Sequence, residues 1–431
     1  MSPCRPLTIF VPHCSELLTD YRPHGDGLIS YALISRLAER GHQLHIAASQ
    51  TDLQNPLPPG AHLYDLKNRS GDGVASRLHY MWRVRKLFQF LQAGTKFDLV
   101  HQLNPVFTGL SIALVGCRLP VLLGPFFSRW PHDPTALSSS RRGWHGLLLE
   151  KGRQLTVSLQ QNLADCLLPT TNAALQQIVR GPRCPSDVEI LPLGVDSTIF
   201  CPGARSEPHP ANDGTSGPVT ILFLANVSRR KGIFDLLQAF DRVVQRCPQA
   251  QLTVSGTGPQ LVEAQSIAFS MRGRAQVHFV GHQSRAGTIT LFQSADIYCL
   301  PSHGEPYGLT AVEAMGCGKP LVVTDAGGLG CLVDDQGGLR VPVANPERLA
   351  DALCTLIADP ARRKAMGEHN RRRVLETMTW DRVVDRLEEI YLATIDRKRR
   401  KPDGREALAT MRAPSGKGLR LGARRNDVSA D

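Results

Sequence analysis

The sequence predicts an α/β protein with two domains, each built on a parallel sheet that is covered by helices on both faces. Apolar segments of strand length alternate with amphipathic segments of helix length along most of the 431 residues. This alternation is typical of βαβ units, whose strands are parallel and buried. It is interrupted at residues 203–217, where apolar side chains are almost absent, and it restarts after them.

The first half begins with a strand, a loop and a helix. An apolar strand at residues 7–11 is followed by a glycine-containing loop at residues 25–27 and by an amphipathic helix at about residues 28–40. Gly41 ends this helix, because glycine readily takes the left-handed conformation found after helix ends. Further strands are predicted at residues 44–48, 97–101 and 120–124.

The second half repeats the pattern of strand, loop and helix. A strand is predicted at residues 219–224, Lys231-Gly232 lies in the turn after it, and a helix covers residues 234–246. Further strands are predicted at residues 252–256, 277–281 and 295–300, and a last amphipathic helix begins at Trp380.

Two glutamates flank a glycine at the point where the strand at residues 295–300 gives way to a short helix. Pro306 and Gly308 keep Glu305 on the loop, whereas Glu313 lies in the first turns of the helix that begins near Leu309. The amides at Gly308 and Leu309 face outward from a helix N-terminus, which favours an anionic ligand. Carboxylates also accept hydrogen bonds from vicinal hydroxyls. The pattern therefore predicts a phosphorylated, polyhydroxylated ligand, although an isolated pair would indicate only a helix cap with solvated glutamates.

The spacing of Glu305 and Glu313 resembles the E-x7-E motif of the family 4 glycosyltransferases, which are retaining enzymes of GT-B architecture. The resemblance covers about residues 5–395 and is strongest after Gly194. It implies a GT-B fold, in which two Rossmann-like β/α/β domains face each other across a cleft. The flanking matches are Pro301-Ser302, Glu313-Ala314-Met315, Gly318-Lys319-Pro320 and Gly327-Gly328.

The resemblance also implies a division of the chain. Residues 1–202 are expected to form the Rossmann-like acceptor domain, residues 203–217 a linker, and residues 218–379 the domain that binds the nucleotide-sugar. A helix at residues 380–395 is expected to cross back to the first domain. Residues 396–431 carry +6 of the formal net charge of +11 and are expected to be a disordered tail.

The resemblance assigns roles to residues on both sides of the motif. Lys231 and Arg230 are expected to stabilise the donor diphosphate as catalytic cations, with Glu305 facing the transferred sugar. Glu313 is expected to bind the ribose hydroxyls. The amides of Gly308 and Leu309, with Gly27 in the first domain, are expected to contact phosphate, and Gly25 is the alternative to Gly27.

Two positions depart from the pattern of the family. Asn226 stands where an arginine is usual, and Arg230 or its neighbour Arg229 could supply the missing charge. Gly124-Pro125 stands where many relatives carry a histidine near the transferred sugar. His101 or His132 could approach the site instead, although a lone histidine is more often structural.

A basic and aromatic helix at residues 76–91 allows two interpretations. It could contact a membrane or a lipid-linked acceptor. The favoured alternative is a helix that packs its aromatic side chains inward and leaves its arginines in solvent. Its characteristic side chains are Arg77, Trp82, Arg83, Arg85, Lys86 and Phe88.

The remaining composition limits the choice of cofactors and partners. The sequence contains no D-x-D motif, so neither a bridging metal nor another cofactor is expected. The eleven cysteines show no C-x-x-C spacing, which favours reduced structural thiols in a cytoplasmic protein. The basic tail could attach to the inner face of an anionic membrane, or it could be a dispensable extension. It lacks aromatic residues, which argues against specific nucleic-acid binding.

The resemblance implies a retaining glycosyltransferase, and the absence of a D-x-D motif makes it metal-independent by expectation. The expected donor is a UDP- or GDP-sugar, and the acceptor is a hydroxyl of a glycan, a lipid-linked molecule or a small molecule. The alternatives are a catalytically silent scaffold with the same fold and a GT-B sugar-nucleotide epimerase. The two departures at Asn226 and Gly124-Pro125 keep the scaffold open, whereas the intact motif favours the enzyme.

Overall fold

A computed structural model describes residues 5–22, 25–66, 74–103, 113–126, 158–176, 188–203 and 217–400. The strands of its first half are β1 (Thr8–Val11), β2 (Leu18–Thr19), β3 (Gln43–Ala48), β4 (Thr51–Asp52), β5 (Ala61–Asp65), β6 (Leu99–Gln102), β7 (Val121–Phe126) and β8 (Cys166–Pro169). Those of the second half are β9 (Val219–Leu224), β10 (Ala250–Ser255), β11 (Val277–Gly281), β12 (Ile297–Leu300), β13 (Leu321–Thr324) and β14 (Gly338–Val341).

The helices lie between and beside these strands. In chain order they are α1 (Gly25–Glu39), α2 (Val74–Gln92), α3 (Asn172–Leu175), α4 (Ile233–Arg246), α5 (Leu261–Ser270), α6 (Arg285–Ser294), α7 (Leu309–Gly316), α8 (Gly327–Leu332), α9 (Pro346–Ala358), α10 (Pro360–Arg373) and α11 (Trp380–Arg400). Short 3-10 turns cover Arg229–Lys231 and Arg274–Gln276, and a π-helical turn covers Val374–Met378.

Within the described residues, twelve of the strands form two six-stranded parallel sheets of the same topology, and β2 and β4 pair separately. Their orders are β5-β3-β1-β6-β7-β8 and β11-β10-β9-β12-β13-β14. Numbered along the chain within each sheet, both orders read 3-2-1-4-5-6, the doubly wound arrangement in which ligands bind where the strand order reverses. This confirms the predicted α/β class with two Rossmann-like sheets. The reversal in the second sheet lies between β9 and β12.

The first helix starts earlier than the sequence suggested. α1 begins at Gly25, three residues before the predicted start, and Asp26 occupies its first turn, where a carboxylate suits the positive end of the helix dipole. Gly27 consequently lies inside the helix and is buried, whereas Gly25 is exposed at its beginning.

The orientation of α2 is a second difference from the favoured prediction. Tyr80 and Phe88 point into a core that also contains Phe10 and Phe97, as expected. Trp82 points outward and is 57% exposed. The prediction that the aromatic side chains of this helix all pack inward is therefore wrong.

The arginines of α2 agree with that prediction only in part, since Arg77 and Arg85 are exposed whereas Arg83 is half-buried. Arg83 donates a hydrogen bond to the Leu66 carbonyl, and Arg85 donates to the carbonyls of Ala113 and Val115, both at 3.3 Å. These guanidinium groups are therefore used to hold neighbouring loops instead of being wholly solvated.

The last helix joins the two halves of the molecule. Its Tyr391 hydroxyl lies 2.6 Å from His101 Nδ1 of β6, and Arg40 at the end of α1 binds Asp385 at 2.7 Å. α11 continues to Arg400, five residues beyond its expected end, and Lys398 Nζ lies 2.8 Å from the Asp165 carboxylate. The first five residues of the predicted tail are thus helical, while residues 401–431 lie outside the described part of the chain.

The two chain segments that pass between the sheets lie side by side. Val195 pairs with Thr379 and donates a hydrogen bond to the Met378 carbonyl at 2.8 Å. Gly194 lies directly against the Trp380 ring, and a Cβ at this position would overlap the indole. The predicted linker is mostly outside the described residues, since residues 204–216 are not described.

Candidate functional site

Lys231 and Glu305 meet at the carboxyl ends of two adjacent strands. Lys231 lies in the turn after β9, Glu305 lies in the loop after β12, and the lysine ammonium donates directly to the carboxylate. Both side chains are largely withdrawn from solvent, with 14% and 9% of their surfaces exposed. The topological reversal therefore brings together two charged groups that are 74 positions apart in the sequence.

The turn that carries Lys231 is pressed against the end of β12. Gly232 adopts a φ of 76°, and a Cβ at this position would overlap the carbonyl oxygen of Pro301. The Arg230 carbonyl accepts hydrogen bonds from the His303 amide at 2.8 Å and from Ser302 Oγ at 3.1 Å. Gly232 is thus needed for this close approach, because only glycine fits there without strain.

The glycine pair Gly327-Gly328 holds the loop of Glu305. The backbone of Glu305 pairs with Gly327, and the Gly328 amide donates to the Glu305 carbonyl at 2.6 Å. A Cβ on either glycine would come too close to the backbone of residues 305–307. The position of the Glu305 backbone is therefore fixed by its contacts with Gly327 and Gly328.

Helix α7 presents its N-terminus to the same space. Gly308 precedes the helix with a φ of 97°, and no side chain caps the first amides of α7. Leu309, the first residue of α7, lies close to Gly25 at the head of α1, 3.8 Å from where a Cβ of Gly25 would stand. The first residue of one helix from each half thus lies close to the other.

Glu313 lies on the first turns of α7, half-buried and away from Lys231. Burial raises the pKa of its carboxyl to about 7, and the more distant charge of Arg285 offsets this only in part. The neighbouring Thr310 hydroxyl accepts a hydrogen bond from Tyr298 at 2.7 Å, which fixes that turn. Glu313 is therefore able to take up or release a proton near neutral pH.

The three basic residues of the turn have different surroundings. Arg229 is exposed and is occupied by Glu263 at 2.6 Å and by the ring of Phe234. Arg230 is half-buried and lies between Arg229 and Lys231, with its carbonyl tied to the loop of Glu305. Asn226, which replaces the arginine usual in the family, is exposed at the end of β9.

His303 is a neighbour that the sequence analysis did not single out. Its Nε2 lies 2.5 Å from Asp235 Oδ2, and Asp235 belongs to the first turn of α4, the helix that follows the Lys231 turn. The His303 amide also donates a hydrogen bond to the Arg230 carbonyl. His303 is therefore a second link between the loop of Glu305 and the Lys231 turn. Its position two residues before Glu305 is the feature of the sequence that could have identified His303 as a neighbour of the site.

Of the two histidines considered for the first half, His101 lies within the described residues and His132 does not. His101 is buried, and its Nε2 lies 3.1 Å from the Gly124 carbonyl. Burial lowers its pKa to about 4, so it stays neutral and links β6, β7 and α11.

A tyrosine connects the loop of Glu305 to the segment that leaves the first half. The Tyr307 hydroxyl accepts a hydrogen bond from the Leu193 amide at 2.9 Å and lies 3.1 Å from the Leu193 carbonyl. Burial raises the pKa of the Tyr307 phenol, which keeps it protonated. The candidate site is therefore attached to the crossing segments.

Within the described residues, no three His, Cys, Asp or Glu side chains are grouped as a metal ion would require. Over the same part of the chain, no helix is long and apolar enough to cross a membrane.

Two family models match the two halves of the chain. Residues 29–199 match "Glycosyltransferase Family 4", and residues 206–373 match "Glycosyl transferases group 1". The chain belongs to the family 4 glycosyltransferases. The second match contains Lys231, Glu305 and Glu313, so the candidate site lies within the part of the chain that carries the family pattern.

Curated members of this family are similar to the chain over part of its length. A glycogen synthase of Mycobacterium tuberculosis is 29% identical over 221 residues, which are 51% of this chain and 51% of that protein. A D-inositol 3-phosphate glycosyltransferase of Corynebacterium urealyticum is 28% identical over 322 residues, 70% of this chain and 72% of that one. The chain thus spans about half the length of the glycogen synthases that it matches.

Solved glycosyltransferase structures share the fold over nearly the whole chain. Sucrose-phosphate synthase of Thermosynechococcus elongatus has a TM-score of 0.65 at 19% identity, covering 94% of this chain and 99% of that one. The Anabaena protein HepE, in complex with UDP-glucose, has a TM-score of 0.64 at 17% identity, with 90% and 100% covered. These similarities confirm the GT-B fold.

Proposed function

We propose that this chain is a retaining glycosyltransferase, which moves a sugar from a nucleotide-sugar to a hydroxyl acceptor. The observation that supports this most directly is the contact of Lys231 with Glu305 beside the N-terminus of α7. A cation, a hydroxyl acceptor and outward-facing amides lie at the topological reversal of a doubly wound sheet. This combination suits a ligand that carries both phosphate and sugar hydroxyls.

The diphosphate is bound by the cationic side of this site. Lys231, Arg230 and the amides of Gly308 and Leu309 face the negative charge that grows on the leaving nucleoside diphosphate. Arg230 is the better second cation by position, because it is half-buried and its backbone is bonded to the loop that carries Glu305, whereas Arg229 is exposed and binds Glu263 on the outer surface. In this assignment, Arg230 supplies the positive charge that an arginine at position 226 would otherwise provide.

The two glutamates bind different hydroxyls of the donor. Glu313 accepts hydrogen bonds from the ribose, and Glu305 accepts them from the transferred sugar. They do not act as the acid and base of a glycosidase, because Glu305 is held by Lys231 and Glu313 lies a turn away on the helix.

Transfer then follows a same-face route. The acceptor hydroxyl attacks the anomeric carbon from the face that the diphosphate leaves, so the new C–O bond forms as the bond to phosphate breaks. The proton of that hydroxyl passes to the departing phosphate oxygen, and no separate nucleophile is required. The cations of the Lys231 turn stabilise the leaving group, which makes a divalent metal unnecessary.

The donor base and the acceptor side are also proposals. HepE is in complex with UDP-glucose and has the same fold, which makes a UDP-sugar the first donor to test and a GDP-sugar the second. On the acceptor side the exposed Gly25, which lies against Leu309, is better placed than the buried Gly27 for contact with a sugar phosphate. The acceptor is a glycan, a lipid-linked molecule or a small molecule.

Thermal-shift and calorimetric titrations test the donor site. UDP, GDP and ADP, with their glucose conjugates, are titrated with and without magnesium, and one base should raise the melting temperature in both conditions. Glu313→Ala should weaken binding of that nucleotide. Lys231→Ala should lower kcat by about 100-fold, because the leaving charge loses its cation.

Lys364→Ala is the matched control, since Lys364 is exposed and lies 4.0 Å from its partner Glu368. Full activity of both Glu313→Ala and Lys231→Ala would overturn the site. Binding of no nucleotide would favour the silent scaffold, and conversion of the donor sugar without an acceptor would favour the epimerase.

A further inference from the structure

Helix α2 has a solvent-facing stripe of large apolar and basic side chains, here called the α2 face. Leu78, Trp82, Lys86 and Phe90 define it and follow one another at intervals of four residues. Leu78 is 58% exposed, Trp82 57% and Phe90 77%. At about 1.5 Å per residue, the stripe extends over about 18 Å.

The opposite side of the same helix accounts for its packing. Tyr80, Val84, Phe88 and Leu91 are buried against the first sheet. The exposure of the α2 face therefore does not arise from a poorly packed helix. The helix is apolar on two sides, and the first sheet covers one of them.

The charge of α2 has one sign. Val74–Gln92 contains arginine, lysine and histidine but no aspartate or glutamate. Lys86 Nζ lies 5.9 Å from the centre of the Trp82 ring, and the His79 ring stacks on the same indole at 6.1 Å. The Lys86 ammonium and the Trp82 ring therefore lie close together on the exposed side of α2.

A neighbouring loop extends this surface. Arg85 donates to the carbonyls of Ala113 and Val115, which holds the loop beside the helix, and the Val115 side chain is 48% exposed. The apolar part of the surface is therefore broader than one helix.

A second exposed apolar pair on the molecule differs in charge. Val262 and Phe269 of α5 are 76% and 74% exposed, but Glu263 lies in the first turn of the same helix. Arg274 lies 5.7 Å from the centre of the Phe269 ring, so this surface carries charges of both signs. Similar apolar exposure without the single positive sign of α2 makes this pair a control for the α2 face.

We propose that the α2 face docks on a membrane that contains anionic lipids, with α2 lying in the plane of the interface. Leu78 and Phe90 enter the boundary of the acyl chains, Trp82 lies at the level of the headgroups, and Lys86 binds lipid phosphate. The absence of acidic side chains from the sequence of α2 removes the repulsion that would oppose this contact. Docking through α2 brings the first domain, proposed to bind the acceptor, against the lipid surface.

Vesicle binding of the full chain tests the proposal. Vesicles of phosphatidylcholine alone are compared with vesicles that also contain phosphatidylglycerol, by flotation and by tryptophan emission. Binding should require phosphatidylglycerol, weaken with salt and shift the emission to shorter wavelength. The double variant Trp82→Ser and Phe90→Ser should bind at least about tenfold more weakly, because it removes most of the inserted apolar area.

Two further variants make the result specific. Val262→Ser with Phe269→Ser likewise removes two exposed apolar side chains, here from α5, and should leave vesicle binding unchanged. A chain that ends at Arg400 lacks the rest of the basic tail and should still bind. Binding of UDP by the α2 variant should equal that of the wild type, so this test is independent of the donor site.

Failure of the wild type to bind anionic vesicles would overturn the proposal. So would loss of binding in the chain that ends at Arg400 when the α2 variant binds normally, because the tail would then be the anchor. A wild-type dimer that the α2 variant converts to a monomer would show that a second copy covers this face instead.

Discussion

At the scale of single residues, the two glutamates of the motif have the same chemistry and opposite surroundings. Glu305 is in contact with the Lys231 ammonium, which compensates its negative charge. Glu313 is desolvated without a comparable partner, and this burial raises its pKa to about 7. A sequence that shows only two carboxylates eight positions apart does not distinguish these cases, because the difference arises from the contact of Glu305 with the distant Lys231 and from the burial of Glu313 in the folded chain.

The Glu313→Gln variant should reveal the raised pKa as a pH dependence of stability. The protonated carboxyl is the form that the fold favours, so its contribution is present below the usual pKa of about 4.5 and is lost as the pH rises through about 7. Between about pH 5 and about pH 8, the wild type should lose about 1–2 kcal/mol of unfolding free energy relative to the variant.

Denaturant titrations at several pH values measure this difference. Glu376→Gln, at an exposed position of the π-helical turn, provides a control that should follow the wild type. Parallel stability curves for the wild type and Glu313→Gln would contradict the assignment.

At the scale of elements, the strands were more predictable than the faces of the helices. The predicted strands at residues 219–224 and 277–281 agree with β9 and β11, because apolar runs bounded by turn residues determine them locally. The direction in which Trp82 points was not predictable, because α2 is apolar on two sides and periodicity alone does not identify the side that meets the sheet. The approach of the Lys231 turn to β12 likewise depends on tertiary contact.

Gly232→Ala tests the close approach of that turn to the end of β12. The added methyl group would overlap the Pro301 carbonyl, and the residue would have to keep a φ of 76°. The variant should lose at least about 2 kcal/mol of unfolding free energy and should bind nucleotide more weakly, since Lys231 moves with the turn.

Gly94→Ala is the appropriate comparison, because a Cβ at Gly94 would have no atom within 4 Å. Stability and nucleotide affinity are measured for both variants. Equal values for Gly232→Ala and Gly94→Ala would show that the turn does not need its glycine.

At the scale of the whole molecule, the GT-B architecture was predictable and the extent of its last helix was not. The repeated strand–helix pattern and the resemblance at Glu305 and Glu313 predicted two Rossmann-like sheets, and both are present. The charge of residues 396–400 suggested a tail, yet α11 continues through them, and Lys398 binds Asp165 beside β8. The composition of residues 396–400 predicted solvated side chains, whereas the Asp165 carboxylate from the first half of the chain binds Lys398.

Two truncations separate the helix from the residues after it. A chain that ends at Arg400 should unfold at the same temperature as the full chain, because the contact of Lys398 with Asp165 is kept. A chain that ends at Asp396 should be less stable by about 1 kcal/mol, as should Lys398→Ala in the full chain. Calorimetric unfolding provides the comparison, and equal melting temperatures for both truncations would show that the last turn of α11 contributes nothing.

The adjacent crossings at Val195 and Thr379 have a mechanical consequence. If the two halves rotate against each other, these two adjacent segments would act as the pivot, and each atom would move in proportion to its distance from them. Tyr307 fastens the loop of Glu305 to Leu193, two residues from Val195, so this loop has a short lever arm. Opening of the cleft would therefore displace its far rim widely, while the carboxylate beside Lys231 would stay almost where it is.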